Sequence, residues 1–241
     1  MGPAGGRWSL VRLLIVLSVA GPLPAGGQVA LPSPDTWHTL TLPRVRRRTV
    51  YTRADVDGVR AVRAESDCSA SALAFPLDRV DVRKTPRLRW RWKIERGLDV
   101  ANERVKRGDD FAARVYVLFR FQRDRATFAQ RARHRLALVL FGTDVPGRAM
   151  SWVRSSREPR GATWDSPVAA ESKMVSLGPA PPGEWTTEEV DLVADYRRLL
   201  GADPPAPMAV ALMTDSDNSC QRAVAYFADF AFLPRDRAAG R

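Results

Sequence analysis

At 241 residues, with 45% hydrophobic and 27% charged side chains, the chain is long enough to bury a full core and too polar to be a membrane bundle. Its 38 basic and 27 acidic residues leave a net charge of +11, and only Lys84, Lys93, Lys106 and Lys173 are lysines, so arginine carries the surplus. Two cysteines and two histidines, scattered along the chain, exclude clustered thiolate or imidazole metal sites.

Arg7 and Arg12 precede the apolar run Leu13 to Ala20, which breaks at Gly21-Pro22 and ends in the small residues Ala25, Gly26 and Gly27. That layout predicts a cleaved secretory signal over residues 1–27, with the cut before Gln28. The run is too short to span a bilayer, so no transmembrane segment is expected in the mature chain, residues 28–241. Removing 27 residues and two arginines leaves 214 residues carrying +9. A periplasmic or secreted location makes nucleic acid an unlikely partner and brings glycans and anionic envelope polymers within reach. It also permits a disulfide, and Cys68 and Cys220 sit in similar polar segments, Ser66-Asp67-Cys68-Ser69 and Asp217-Asn218-Ser219-Cys220. The alternative is two unpaired buried thiols.

The first strand in chain order is Val59 to Ala64. In Leu88 to Glu95, strict alternation puts Leu88, Trp90, Trp92 and Ile94 on one face and four charged residues on the other. Gly108-Asp109-Asp110 leads into a strand over Arg114 to Phe121, where Val115, Val117, Phe119 and Phe121 share a face. Its opposite face, with Arg114 and Tyr116, offers a cationic donor beside a ring. Asp124 to Arg133 reads as a short helix or a basic loop, and Arg135 to Phe141 as a strand. Ala149 to Val153 follows, and its Trp152 is a candidate stacking surface for a sugar. Further strands are expected over Lys173 to Leu177, Met208 to Thr214 and Ala223 to Leu233. Between the first two of these, Leu192, Tyr196, Leu199 and Leu200 define a helix from Asp191 to Leu200 that stops at Gly201. Many short strands and little helix predict an all-β fold: a jelly-roll-like, two-sheet antiparallel β-sandwich with one short helix near 191–200, in a single domain.

No nucleotide-binding glycine loop and no Gly-x-Ser-x-Gly elbow occurs in the chain. Two acidic clusters remain, Asp109-Asp110 and Asp215-Ser216-Asp217-Asn218, each at the junction of a strand and a loop. Asp215, Asp217 and Asn218 supply the oxygen donors that a structural calcium ion prefers; the alternative is that they cap turns. The ligand candidates are Arg114, Tyr116, Trp152, Asp109 and Asp110.

These same residues carry a resemblance. Gly108-Asp109-Asp110, Arg114-Val115-Tyr116-Val117, Trp185, Asp191, Asp195-Tyr196, Gly201, Ala211 to Asn218 and Ala225-Tyr226-Phe227-Ala228-Asp229 resemble the exported bacterial domain-of-unknown-function family 3047, from about Tyr51 to Phe232. Phe227-Ala228 stands where that family carries Tyr-Gly, and Ser219-Cys220 replaces a Thr-containing turn. More distantly, the chain is similar to jelly-roll carbohydrate-binding modules, and that likeness implies a calcium-ligating role for Asp229. The resulting expectation is an exported, non-catalytic binding domain for carbohydrate or another envelope polymer. A glycan-active enzyme using the loop carboxylates and an envelope scaffold or protein-interaction domain are the alternatives.

Overall fold

A computed structural model describes residues 27–42, 45–78, 80–141, 146–169 and 171–235. The signal segment, apart from Gly27, lies outside the described residues. Thirteen strands form two packed sheets among the described residues. The first sheet contains β1 (Val29–Ala30), β3 (Val50–Val56), β4 (Val59–Asp67), β6 (Arg87–Arg96), β11 (Trp185–Asp191) and β13 (Arg222–Leu233), in the order β11-β6-β13-β4-β3 with β1 also on β13. The second runs β2 (His38–Leu40), β5 (Ala72–Pro76), β12 (Pro207–Met213), β7 (Arg114–Phe119), β8 (Arg148–Val153), β10 (Ser172–Ser176) and β9 (Thr163–Asp165). The chain changes sheet repeatedly, at β1–β2, β2–β3, β4–β5, β5–β6, β6–β7, β10–β11, β11–β12 and β12–β13, so each layer is assembled from distant segments. The expected two-sheet sandwich is the observed architecture.

Alternation in β6 explains how that strand joins the layers. Leu88, Trp90, Trp92 and Ile94 all point inward and are buried, meeting Val115, Val117, Phe119, Met150, Trp152 and Leu212 from the facing sheet. Trp90 is the hub, edge-on to Trp92 at 5.3 Å and 6.4 Å from Trp152. Each such side chain contributes about 1.5–3 kcal/mol through burial.

Three expectations need correction. Every strand pair is antiparallel except β8 with β10, which run parallel. The chain leaves β8, returns along β9 one strand-width further out, and β10 then fills the slot between them, antiparallel to β9. Residues Arg135 to Phe141 are helical, forming the second half of α1 (Phe128–Phe141). The reason precedes the apolar run: Thr127 Oγ1 accepts from the Gln130 amide at 3.2 Å and Gln130 Oε1 accepts from the Thr127 amide at 2.8 Å, a reciprocal cap that starts a helix. Finally, β7 stops at Phe119, so Phe121 leaves the sheet.

The predicted second helix is α2 (Leu192–Leu200). Asp191 caps it by accepting from the Ala194 amide at 2.8 Å, and Gly201, at φ 67°, closes it in the left-handed region that a side chain would disfavour. Tyr196 is buried edge-on against Phe119 at 4.9 Å, which fastens α2 across one end of the sandwich. Among the described residues no helix is long and apolar enough to cross a membrane.

Candidate functional sites

One end of the sandwich gathers most of the predicted site residues. Arg114 opens β7, and Asp215 follows β12, the strand paired with it. The Arg114 guanidinium is buried and donates from Nε to Asp215 Oδ1 at 3.0 Å and from Nη2 to Asp215 Oδ2 at 2.6 Å. It also donates to the Asp109 carbonyl at 2.6 Å and the Tyr116 hydroxyl at 2.9 Å, and lies 4.4 Å from the centre of the Phe111 ring. Asp110, fully buried, accepts from the Ser219 amide at 2.5 Å and from both the amide and the side chain of Asn218, at 3.2 and 2.9 Å. Above this centre Cys68 and Cys220 form a disulfide that ties the end of β4 to the start of β13. The residues read from the sequence as ligand candidates and those read as metal candidates therefore belong, for the most part, to one cluster.

Two do not. Trp152 is fully buried between the sheets, its indole donating to Asp195 of α2 at 3.1 Å, because its parity in β8 points inward; it presents no face to a sugar. Asp229 does not join the acidic cluster. It sits at φ 56° where the register of β13 against β6 shifts, more than half exposed and 3.2 Å from Arg91 on the outer face. Arg114 itself is corrected in character, since it is a buried internal cation and not an exposed donor.

Asp110, Asp215 and Asp217 bring carboxylate oxygens within 4.8 Å of one another. A hard cation would be held by those three, with Asn218 at their edge. The donors suit such an ion in kind, although Arg114 already engages both oxygens of Asp215. Four carboxylates gather near one guanidinium, and their burial shows in the acid equilibria of three of them. Burial pushes Asp215 well up, with Arg114 opposing, and burial likewise raises Asp109. Asp217 is raised by burial and then by the charge of Asp110. A carboxyl raised in the fold binds its proton more tightly folded than unfolded, so its contribution to stability falls as pH climbs above the ordinary carboxylate range. Asp217→Asn is therefore expected to raise the melting temperature at pH 8 in calcium-free buffer, with the gain shrinking towards pH 4. A melting temperature lowered at pH 8 would contradict this. A rise on adding calcium to the wild type, abolished by the substitution, would assign the charge balance to the ion.

The same end holds a second buried pair. Arg154 reaches from the end of β8 to Glu188 of β11 at 2.5 Å, Arg160 approaches the other oxygen of Glu188 at 2.6 Å, and Arg154 lies 5.1 Å over Trp92. Glu103 accepts from the Ser155 hydroxyl and from the Ser156 amide at 2.5 Å. These ties close the loops over one another.

Alignment of strands across the first sheet builds a different surface. Trp185 pairs with Lys93, Lys93 with Tyr226, Tyr226 with Arg63 and Arg63 with Thr52, so these five residues form one row across five strands on the outward face. Beside this row, Ala61 and Ala228 are fully buried in a small cluster with Val224 and Tyr226, against which Ala54, Val56, Val59 and Trp185 pack. Trp185 and Tyr226 lie 6.5 Å apart, with Arg91 5.0 Å over Trp185. Most cations of this face have carboxylate partners: Arg63 and Arg222 share Glu65, Arg91 pairs with Asp229, Lys93 with Asp57 and Arg87 with Glu189, while Arg89 donates to the Gln28 side chain at 3.2 Å. The sequence reading passed over this row, since each strand displays its own parity and nothing of its register against the others.

No curated protein matches the chain. Among solved structures it is similar to the family 30 carbohydrate-binding module of a cellulosomal cellulase of Clostridium thermocellum, at 10% identity and a TM-score of 0.45, over 87% of this chain and 99% of that one. The family 11 carbohydrate-binding module from Clostridium thermocellum, in complex with a β-1,3-1,4-mixed-linked tetrasaccharide, is similar at 10% identity and 0.42, over 86% and 96%. The xyloglucanase domain of NopAA, a type three effector from Sinorhizobium fredii, in complex with cellobiose, is similar at 10% identity and 0.42, over 85% and 100%. The family described as Protein of unknown function (DUF3047) matches residues 35–231, and the chain belongs to it.

Proposed function

We propose that the chain is an exported, non-catalytic domain that binds a neutral glycan strand along the outer face of the first sheet. The observation that carries this reading is the partly exposed ring of Trp185 on the outward face, with Arg91 5.0 Å over it and Lys93 paired to it on the neighbouring strand. Rings offer apolar faces to a sugar, and the neighbouring ammonium, guanidinium and carboxylate groups suit its hydroxyls. Arg91, Lys93 and Arg87 each have an acid of their own and Arg63 and Arg222 share Glu65, so most of the positive charge of this face is offset and little is left to recruit an anionic polymer. This narrows the expected partner to the uncharged one.

The enzyme alternative has less support. The two acidic loops do meet, but Asp109, Asp110 and Asp215 are each at most 4% exposed and are engaged by Arg114 or by backbone amides. A hydrolase pair has to face a substrate across an open cleft, with carboxyls about 5 Å or more apart.

The test is a binding panel of neutral and acidic polysaccharides with the mature chain, followed by Trp185→Ala. Saturable binding to a neutral glycan is expected, weakened at least about tenfold by the substitution, which corresponds to about 1.4 kcal/mol. Binding only to acidic polymers, or affinity for a neutral glycan unchanged in Trp185→Ala, would overturn the proposal.

A further inference from the structure

At the end of the sandwich opposite Arg114 lies a half-open cavity of about 410 Å³, within the range of small-molecule sites. It lies between α1, α2 and the ends of β7, β8 and β10. Its construction depends on Gly147, whose amide donates to the Phe119 carbonyl at 2.9 Å; a Cβ there would fall 2.5 Å from the Phe121 Cα. That close approach sets Phe121 as a wall, its ring stacked on His134 of α1 with centres 3.9 Å apart and planes 7° from parallel. Tyr196, Leu200 and Ala149 complete an interior of mainly apolar surface.

The mouth has the opposite character. Arg120, Arg125 and Arg148 line it, and Glu171 is the one acid among the lining residues. Glu171 is shared, 3.9 Å from Arg148 and accepting from Gln130 at 3.3 Å, while Arg120 pairs with Asp78 at 3.0 Å. Arg125 is exposed and forms no ion pair among the described residues. This end therefore retains the positive charge of Arg125 over an apolar, flat-walled cavity. A guanidinium pairs with a planar carboxylate through two parallel hydrogen bonds, and the cavity behind it favours an apolar body. A bare inorganic anion would leave that interior unfilled.

We infer that this cavity binds a small amphipathic organic anion, a carboxylate carried on an aromatic or short aliphatic body. The site is separate from the glycan face and does not depend on it.

Titration calorimetry of the mature chain with 2-naphthoate tests the inference, with the uncharged 2-naphthamide and inorganic phosphate as comparisons. One saturable site for naphthoate is expected, with the amide at least tenfold weaker and phosphate weaker still. The double variant Arg125→Gln, Arg148→Gln is expected to weaken naphthoate at least tenfold, and Leu200→Trp, which fills the cavity, to abolish it. Should Leu200→Trp fail to fold, the arginine variant retains the test, because Arg125 is exposed and Arg148 partly so. Equal affinity for acid and amide, or undiminished naphthoate binding in the arginine variant, would overturn the inference. Trp185→Ala should leave naphthoate binding intact and Leu200→Trp should leave glycan binding intact, so failure of either site is read independently of the other.

Discussion

Reduction of the Cys68–Cys220 disulfide is expected to lower the melting temperature by about 10–20 °C. The two cysteines are 152 residues apart in sequence. Opening so long a loop returns about 5 kcal/mol of entropy to the unfolded chain, and a domain of this size shifts by roughly 2–4 °C per kcal/mol. The bond lies where the end of β4 meets the start of β13, next to the Asp67–Arg222 pair that ends their ladder, so it constrains two central strands and not a peripheral loop. Cys220 is exposed and Cys68 half-buried, which gives a reductant access without prior unfolding. The measurement is a thermal melt with and without reductant, repeated on Cys68→Ser, Cys220→Ser, which reductant should not affect further. A shift under about 3 °C would mean that the strand pairing holds this end unaided. A bond of this kind persists in an oxidising compartment, in keeping with the proposed export.

Arg114→Met is expected to cost about 3–5 kcal/mol at pH 7, the usual penalty for leaving buried charges without their partner. The substitution leaves the buried Asp109 and Asp215 without their counter-charge beside Asp110 and Asp217 and removes the donor to Tyr116. Adding Asp215→Asn should recover part of the loss, because an amide is cheaper than a carboxylate to bury unpaired. The deficit should also shrink on acidification, since the burial that already raises Asp109 and Asp215 favours their protonated forms further once the guanidinium is gone. Urea unfolding with an unchanged slope supplies the measurement. A cost below about 1 kcal/mol, or a double variant no more stable than the single one, would show that Arg114 is not the counter-charge of this cluster. Loss of ligand binding in an Arg114 variant would report a disordered loop end and not a missing contact.

Much of the layering was legible because burial in a strand has period two. Leu88 to Glu95 displays its inward and outward faces without reference to any other residue, and β4 and β7 follow the same rule over most of their length, whereas β8, β10, β12 and β13 are buried along most of their length on both faces. The α2 helix was legible through its 3.6-residue stripe and its stop at Gly201. The helix α1 was misread because a continuous apolar run suits a strand as well as a helix; the discriminating signal was the reciprocal cap of Thr127 and Gln130 at its start. Trp185 and Tyr226 went unnoticed as partners because β11 and β13 are joined through β6, and no local pattern states how three strands align.

The amino-acid sequence by itself determined the two-layered β architecture, the terminal helix, the polar segments that hold the cysteines and the kinds of residue at the acidic loops. Only the tertiary structure decided that Arg114 is buried against Asp215, that Trp152 is core, that Asp229 stands apart and that Arg120, Arg125 and Arg148 meet around the far cavity. The difference is one of range. Parity and capping act between residues a few positions apart, whereas Arg114 and Asp215 are separated by 101 residues, and a charge acquires its environment only when strand pairing has brought such distant segments together.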